Sequence, residues 1–142
     1  VPAPISAASP RRLPGLGLLV LAGLFGTAGV LHFLRPQPFV RIVPPQLPAP
    51  EALVYLSGAA EIGLALLLLP RRTRRPAAWG LVALLVAVFP ANVYMALLPG
   101  GGIGAPQWLL WARLPLQGVL IAWAGRYTRR PAPAANAGSA LR

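Results

Sequence analysis

The chain has no cysteine, no lysine and no aspartate, and its only acidic residues are Glu51 and Glu61. Without cysteine it cannot form disulfides, carry out thiol redox chemistry, or hold a metal, haem or iron–sulfur cluster through thiolates of its own. A single histidine, His32, excludes a self-contained multi-histidine metal site. There is no nucleotide-binding loop and no pair of haem ligands. Thirteen basic residues, all arginine, give a net charge of +11. Such a balance can signal nucleic-acid binding. Here the arginines flank apolar runs instead of forming a stripe, so nucleic acid is not the expected partner. Arginine without lysine, with abundant alanine, glycine and proline, fits a GC-rich bacterial genome.

What the chain does have is hydrocarbon. It is 142 residues long and 56% hydrophobic, with a mean hydropathy of +0.65, more apolar than an ordinary soluble domain. Four apolar runs, at about 15–34, 51–69, 77–98 and 107–125, each match the roughly 20 helical residues needed to cross a bilayer core. The first exceeds the core of a signal peptide and is followed by no small-residue cleavage site, so it is read as a retained helix. The expected fold is all-α: a four-helix transmembrane bundle over 14–127, with mobile tails at 1–13 and 128–142.

Charge sets the orientation. Arg11 and Arg12 precede the first run; Arg71, Arg72, Arg74 and Arg75 lie between the second and third; Arg126, Arg129, Arg130 and Arg142 follow the fourth. The other side carries Arg35 and Arg41. The positive-inside rule then places both termini in the cytoplasm. Of the outer connections, 99–106 is short and uncharged. The segment 35–50 holds six prolines and is expected to be extended, non-helical backbone, serving as a lid or a stiff spacer. Pro90 and Pro115 fall inside helices and free the carbonyls of Val86 and Trp111. Trp79, Trp108, Trp111 and Trp123 lie near helix ends, as interfacial anchors do.

Each apolar run is interrupted by polar residues: His32, Glu61, Asn92, and the pair Arg113 and Gln117. A carboxyl within a membrane helix is expensive and is expected to face the bundle interior with a partner. Counted from the outer helix ends, His32 lies about 3 Å deep, Asn92 and Arg113 about 9 Å, and Glu61 and Gln117 about 15 Å. Tyr55 and Tyr94 are close enough to this set to donate hydrogen bonds. The small residues Gly58, Ala59 and Ala60 permit close helix approach. The most economical pairing is Glu61 with Arg113, leaving His32 as a shallow, outermost member. Three roles remain open: an internal ion pair that fixes packing, a site for the polar head of a hydrophobic ligand, or a proton or solute pathway.

The segments AGVLHFLRPQPFVRIVPPQLP, LVYLSGAAEIGLALLL, FPANVYMA and WARLPLQGVLIAW, in that order over roughly 22–125, resemble the small DoxX-like (DoxX/MauE-related) bacterial membrane proteins. The resemblance implies a four-helix bundle in the bacterial cytoplasmic (inner) membrane. It marks His32, Pro44, Pro45, Glu61, Asn92, Arg113 and Gln117 as motif positions. It also implies a redox context in which quinone or quinol, or a partner enzyme or membrane subunit, carries the electrons. The resulting expectation is a redox-associated accessory subunit, without a self-contained catalytic motif, binding a quinone-type or other polar-headed hydrophobic ligand through His32, Glu61, Asn92, Arg113 and Gln117. The alternatives are a structural or assembly subunit without its own ligand, and a small transporter or proton-conducting protein.

Overall fold

The computed structural model describes residues 14–129. The tail at 1–13 and residues 130–142, with Arg11, Arg12, Arg130 and Arg142 of the charge count, lie outside the described residues. The described chain is helical, without strands. It comprises α1 (Leu16–Leu34), α2 (Pro36–Val40), α3 (Pro50–Leu68), α4 (Arg71–Leu97) and α5 (Gln107–Gly125), with 3-10 turns at Pro99–Gly102 and Arg126–Thr128. Three helices, α1, α3 and α4, are long and apolar enough to cross a membrane. The fourth long helix, α5, has the same 19 residues as α1 and α3, but Gln107, Arg113, Pro115 and Gln117 dilute its apolar character.

The long helices run up and down in sequence order, each packed on the next. Near one end, Leu18, Leu21 and Phe25 of α1, Ala65 and Leu68 of α3, Ala78, Leu81 and Leu85 of α4 and Ala124 of α5 form one apolar cluster. At the other end Met95 and Ala96 of α4, Leu110 of α5 and Ile42 from the connection after α2 form a second. The outward faces expose leucine, valine and aromatic side chains in quantity, among them Leu24, Leu56, Val86 and Val119. Soluble monomers rarely expose apolar surface on this scale, which suits contact with lipid. Trp79, Trp108 and Trp111 are exposed, whereas Trp123 is partly buried against the first cluster.

Two expected boundaries move. The segment RRTRR is not a loop but the first turns of α4. Arginines at a helix N-terminus oppose the helix dipole, and tertiary bonds offset this. Arg74 donates to the carbonyls of Leu68 (3.0 Å) and Leu69 (2.9 Å), and Thr73 to that of Leu67 (2.7 Å). The start of α4 thereby caps the end of α3, whose last carbonyls have no partner within their own helix. Similarly Arg75 donates to the carbonyl of Thr128 (2.8 Å), tying residues 126–128 to the bundle.

The proline-rich segment after α1 was expected to be non-helical, yet Pro36–Val40 forms a helical turn. Pro36 and Pro38 sit in its first turn, where backbone N–H groups have no intrahelical acceptor, so nothing is lost by lacking them. Farther on, Ala49 adopts a left-handed conformation (φ 49°) between two prolines just before α3. The αR region is disfavoured before Pro50, and the left-handed alternative costs alanine about 1–2 kcal/mol.

Candidate functional site

Between the two apolar clusters lies a polar layer, and its assembly begins with glycine. On α1, Ala22, Gly26 and Gly29 follow one another at i, i+4, i+7 along the face toward α3. A Cβ at Gly29 would stand 2.6 Å from the carbonyl oxygen of Gly58, and one at Gly58 would stand 2.6 Å from the Cβ of His32. The α1–α3 backbones therefore meet at Gly29 and Gly58, as small-residue crossings allow. This crossing brings His32 to Glu61.

The contact overturns two expectations. Glu61 does not pair with Arg113; its neighbour is His32, with Nδ1 3.4 Å from Oε2. Nor is His32 a solvated outer residue, since it is 8% exposed and Glu61 9%. Depth counting failed because it assumed flush helix ends. Glu61 lies eleven residues into α3 and His32 two residues before the end of α1. These are about 16 Å and 3 Å along the axes. The end of α1 is thus set well below the start of α3, and α2 folds into the step against α3. Phe39 of α2 stacks on the His32 ring, centroids 3.9 Å apart.

The hydrogen bonding of this pair is incomplete. His32 Nδ1 lies 2.7 Å from the carbonyl oxygen of Ala28, an acceptor only, so Nδ1 carries the proton and donates it there. At 3.4 Å, Glu61 Oε2 is left without a hydrogen-bond partner although it is buried. A buried polar atom without a partner costs about 1–3 kcal/mol.

Asn92, Arg113 and Gln117 form a separate group between α4 and α5. Asn92 Nδ2 donates to Gln117 Oε1 (2.8 Å), and Gln117 Nε2 donates to the carbonyl of Leu85 (2.5 Å). Gln117 is 3% exposed and both ends of its amide are engaged. Arg113 is exposed and reaches Asn92 Oδ1 at 3.5 Å, the outer limit of a hydrogen bond. No described hydrogen bond or ion pair links this group to His32 and Glu61. The five expected site residues therefore fall into two sets, one of which closes on itself.

Tyr55 does not join the polar set: it stacks on Phe33 at 5.4 Å and is partly exposed. Sequence reasoning overlooked Phe39 and Gly29. For Phe39 no periodicity could signal its return onto His32. For Gly29 the signal was present in the small-residue spacing of α1. Among the described residues no three metal-ligating side chains come together.

No curated protein and no solved structure matches the chain. One family model does, over residues 21–128, from α1 through the last helical turn, and so includes every residue of both polar sets. The chain belongs to the DUF8561 family, a domain of unknown function.

Proposed function

We propose that this chain is a four-span protein of the bacterial cytoplasmic membrane, with both termini inside, that binds the polar head of a hydrophobic ligand at His32 and Glu61. The reading extends to a quinone-type ligand and an accessory role beside a redox enzyme, as the resemblance to DoxX-like proteins implies. The observation that carries it is Glu61 Oε2, buried and without a donor beside a histidine whose Nδ1 proton is committed to a backbone carbonyl. A hydroxyl-bearing head group, such as that of a quinol, would donate to that oxygen. Phe39, stacked on His32, offers an apolar wall. Arg113, Asn92 and Gln117 are not needed in this site.

Gentle extraction from native membrane, followed by mass spectrometry of bound small molecules and proteins, tests the proposal. Wild-type protein should retain a stoichiometric hydrophobic ligand, and Glu61→Gln should reduce retention by about tenfold or more, as for loss of a hydrogen bond to a charged group. Ligand-free wild-type protein would reject the reading. In its place would stand the structural-subunit reading, which the closed Asn92–Gln117–Leu85 chain favours, with a coeluting membrane partner as its sign.

A further inference from the structure

Between α4 and α5 runs an open groove of about 320 Å³, lined by Val86, Phe89, Leu114, Gln117, Gly118 and Ile121. Leu114, Gln117, Gly118 and Ile121 follow an i, i+3, i+4, i+7 stripe, so the groove tracks α5 along one face. Its walls are almost wholly apolar, since the polar atoms of Gln117 are turned toward Asn92 and the Leu85 carbonyl. A Cβ at Gly118 would meet nothing within 4 Å. The floor there is open because glycine leaves it so.

Arg113 lies beyond the Leu114 end of this stripe, one turn before Gln117 at i, i+4, and does not itself line the groove. Its bond to Asn92 Oδ1, and the bond of Asn92 to the lining residue Gln117, hold the guanidinium on the α4 side, one helical turn from the groove. A guanidinium has five N–H donors and stays charged. Here one donor is engaged, at 3.5 Å, and no carboxylate of the described residues pairs with it. Arg113 lies about 9 Å along α5 from Gln107, within reach of the membrane surface for a snorkelling side chain. A fixed cation at the head of an apolar groove is complementary to a molecule with an anionic head and a hydrocarbon chain.

We propose that the α4–α5 groove binds an anionic phospholipid, with its phosphate on Arg113 and one acyl chain along Phe89, Leu114, Gly118 and Ile121. The site is independent of His32 and Glu61. It rests only on α4 and α5 lying in a bilayer, the part of the reading above that carbonate extraction checks separately. The groove is part of the bundle surface, so bulk lipid covers it in any case; the assignment is of a retained, head-group-selective lipid.

The test compares wild-type protein, Arg113→Gln, Arg113→Lys and Gly118→Leu, each reconstituted in nanodiscs of equimolar phosphatidylglycerol and phosphatidylcholine. Each is then delipidated stepwise and read by native mass spectrometry. Wild-type protein should retain phosphatidylglycerol over phosphatidylcholine by about fivefold, the scale of one basic side chain at an anionic surface. Arg113→Gln should lose that preference and Arg113→Lys keep it. Gly118→Leu should retain neither lipid at the site, while helix content is kept and the melting temperature is no lower than that of wild type. Equal retention of the two lipids by wild type, or unchanged preference in Arg113→Gln, would overturn the proposal. So would displacement of the lipid by inorganic phosphate, which would assign Arg113 to a free anion. Carbonate-resistant membrane association of all four proteins is the control that confines these outcomes to the groove.

Discussion

At Glu61 a carboxyl oxygen is held in the interior while the neighbouring His32 donates to another acceptor. Had Glu61 been paired with Arg113, truncating it would have left a buried cation and destabilised the protein. With an unmet oxygen the sign reverses. Glu61→Met, close in volume and without polar atoms, should stabilise the ligand-free protein by about 1–3 kcal/mol, measured as a shift in thermal or denaturant unfolding in detergent. It should also abolish ligand retention. Destabilisation by a similar amount would mean that a donor from the chain already satisfies Oε2. His32→Ala removes a buried ring, its bond to Ala28 and its stack on Phe39, and should destabilise the protein by about 1–3 kcal/mol in the same assay. All five polar positions were visible in the sequence, since each interrupts an apolar run. Their partners were not, because partnership depends on the axial offset of α1 against α3, which residue spacing within one helix does not carry.

That offset belongs to the helices. The Gly29–Gly58 crossing fixes it, so the site is as much a property of two glycines as of its polar residues. Gly58→Ala puts a methyl 2.6 Å from the His32 Cβ and 3.0 Å from the Gly29 carbonyl oxygen, where neither α-helix can yield without separating. The expected cost is about 1–3 kcal/mol, with loss of whatever ligand the pair retains. Gly63→Ala, on the same helix but with nothing within 4 Å, is the control. It should be neutral or stabilising by up to about 1 kcal/mol from helix propensity. Equal melting temperatures for the two variants would show that α1 and α3 do not touch at Gly58. At the start of α3, Ala49→Gly should relieve the left-handed strain and raise stability by about 1 kcal/mol. The long helices were legible from apolar run length alone, their ends moving only where tertiary bonds intervened. The early start of α4 was hidden because its support comes from carbonyls of α3, and α2 because its prolines fall where a helix start tolerates them.

For the whole molecule, the open point is whether α5 crosses the membrane beside α1, α3 and α4. Apolar character alone singles out those three. Packing gives α5 the same path. At one end Gln107 donates to the carbonyl of Ala96, and at the other Arg75 donates to that of Thr128. Residues 75 to 96 of α4 cover about 32 Å, close to the thickness of the hydrocarbon core, so on the proposed four-span reading α5 accompanies α4 across it. Arg113 and Gln117, which lower its hydropathy, are turned toward α4 through Asn92 and the Leu85 carbonyl. Charge agrees. Among the described residues Arg71, Arg72, Arg74, Arg75, Arg126 and Arg129 lie at one end of the bundle, and Arg35 and Arg41 at the other. On the proposed reading, the positive-inside rule would put the first end in the cytoplasm. Reporter fusions should therefore place residue 73 and the C-terminus inside and residue 102 outside. A three-span protein with α5 lying on the surface would put the C-terminus on the same side as residue 102. That outcome would break the antiparallel α4–α5 pair on which the polar chain and the groove both depend.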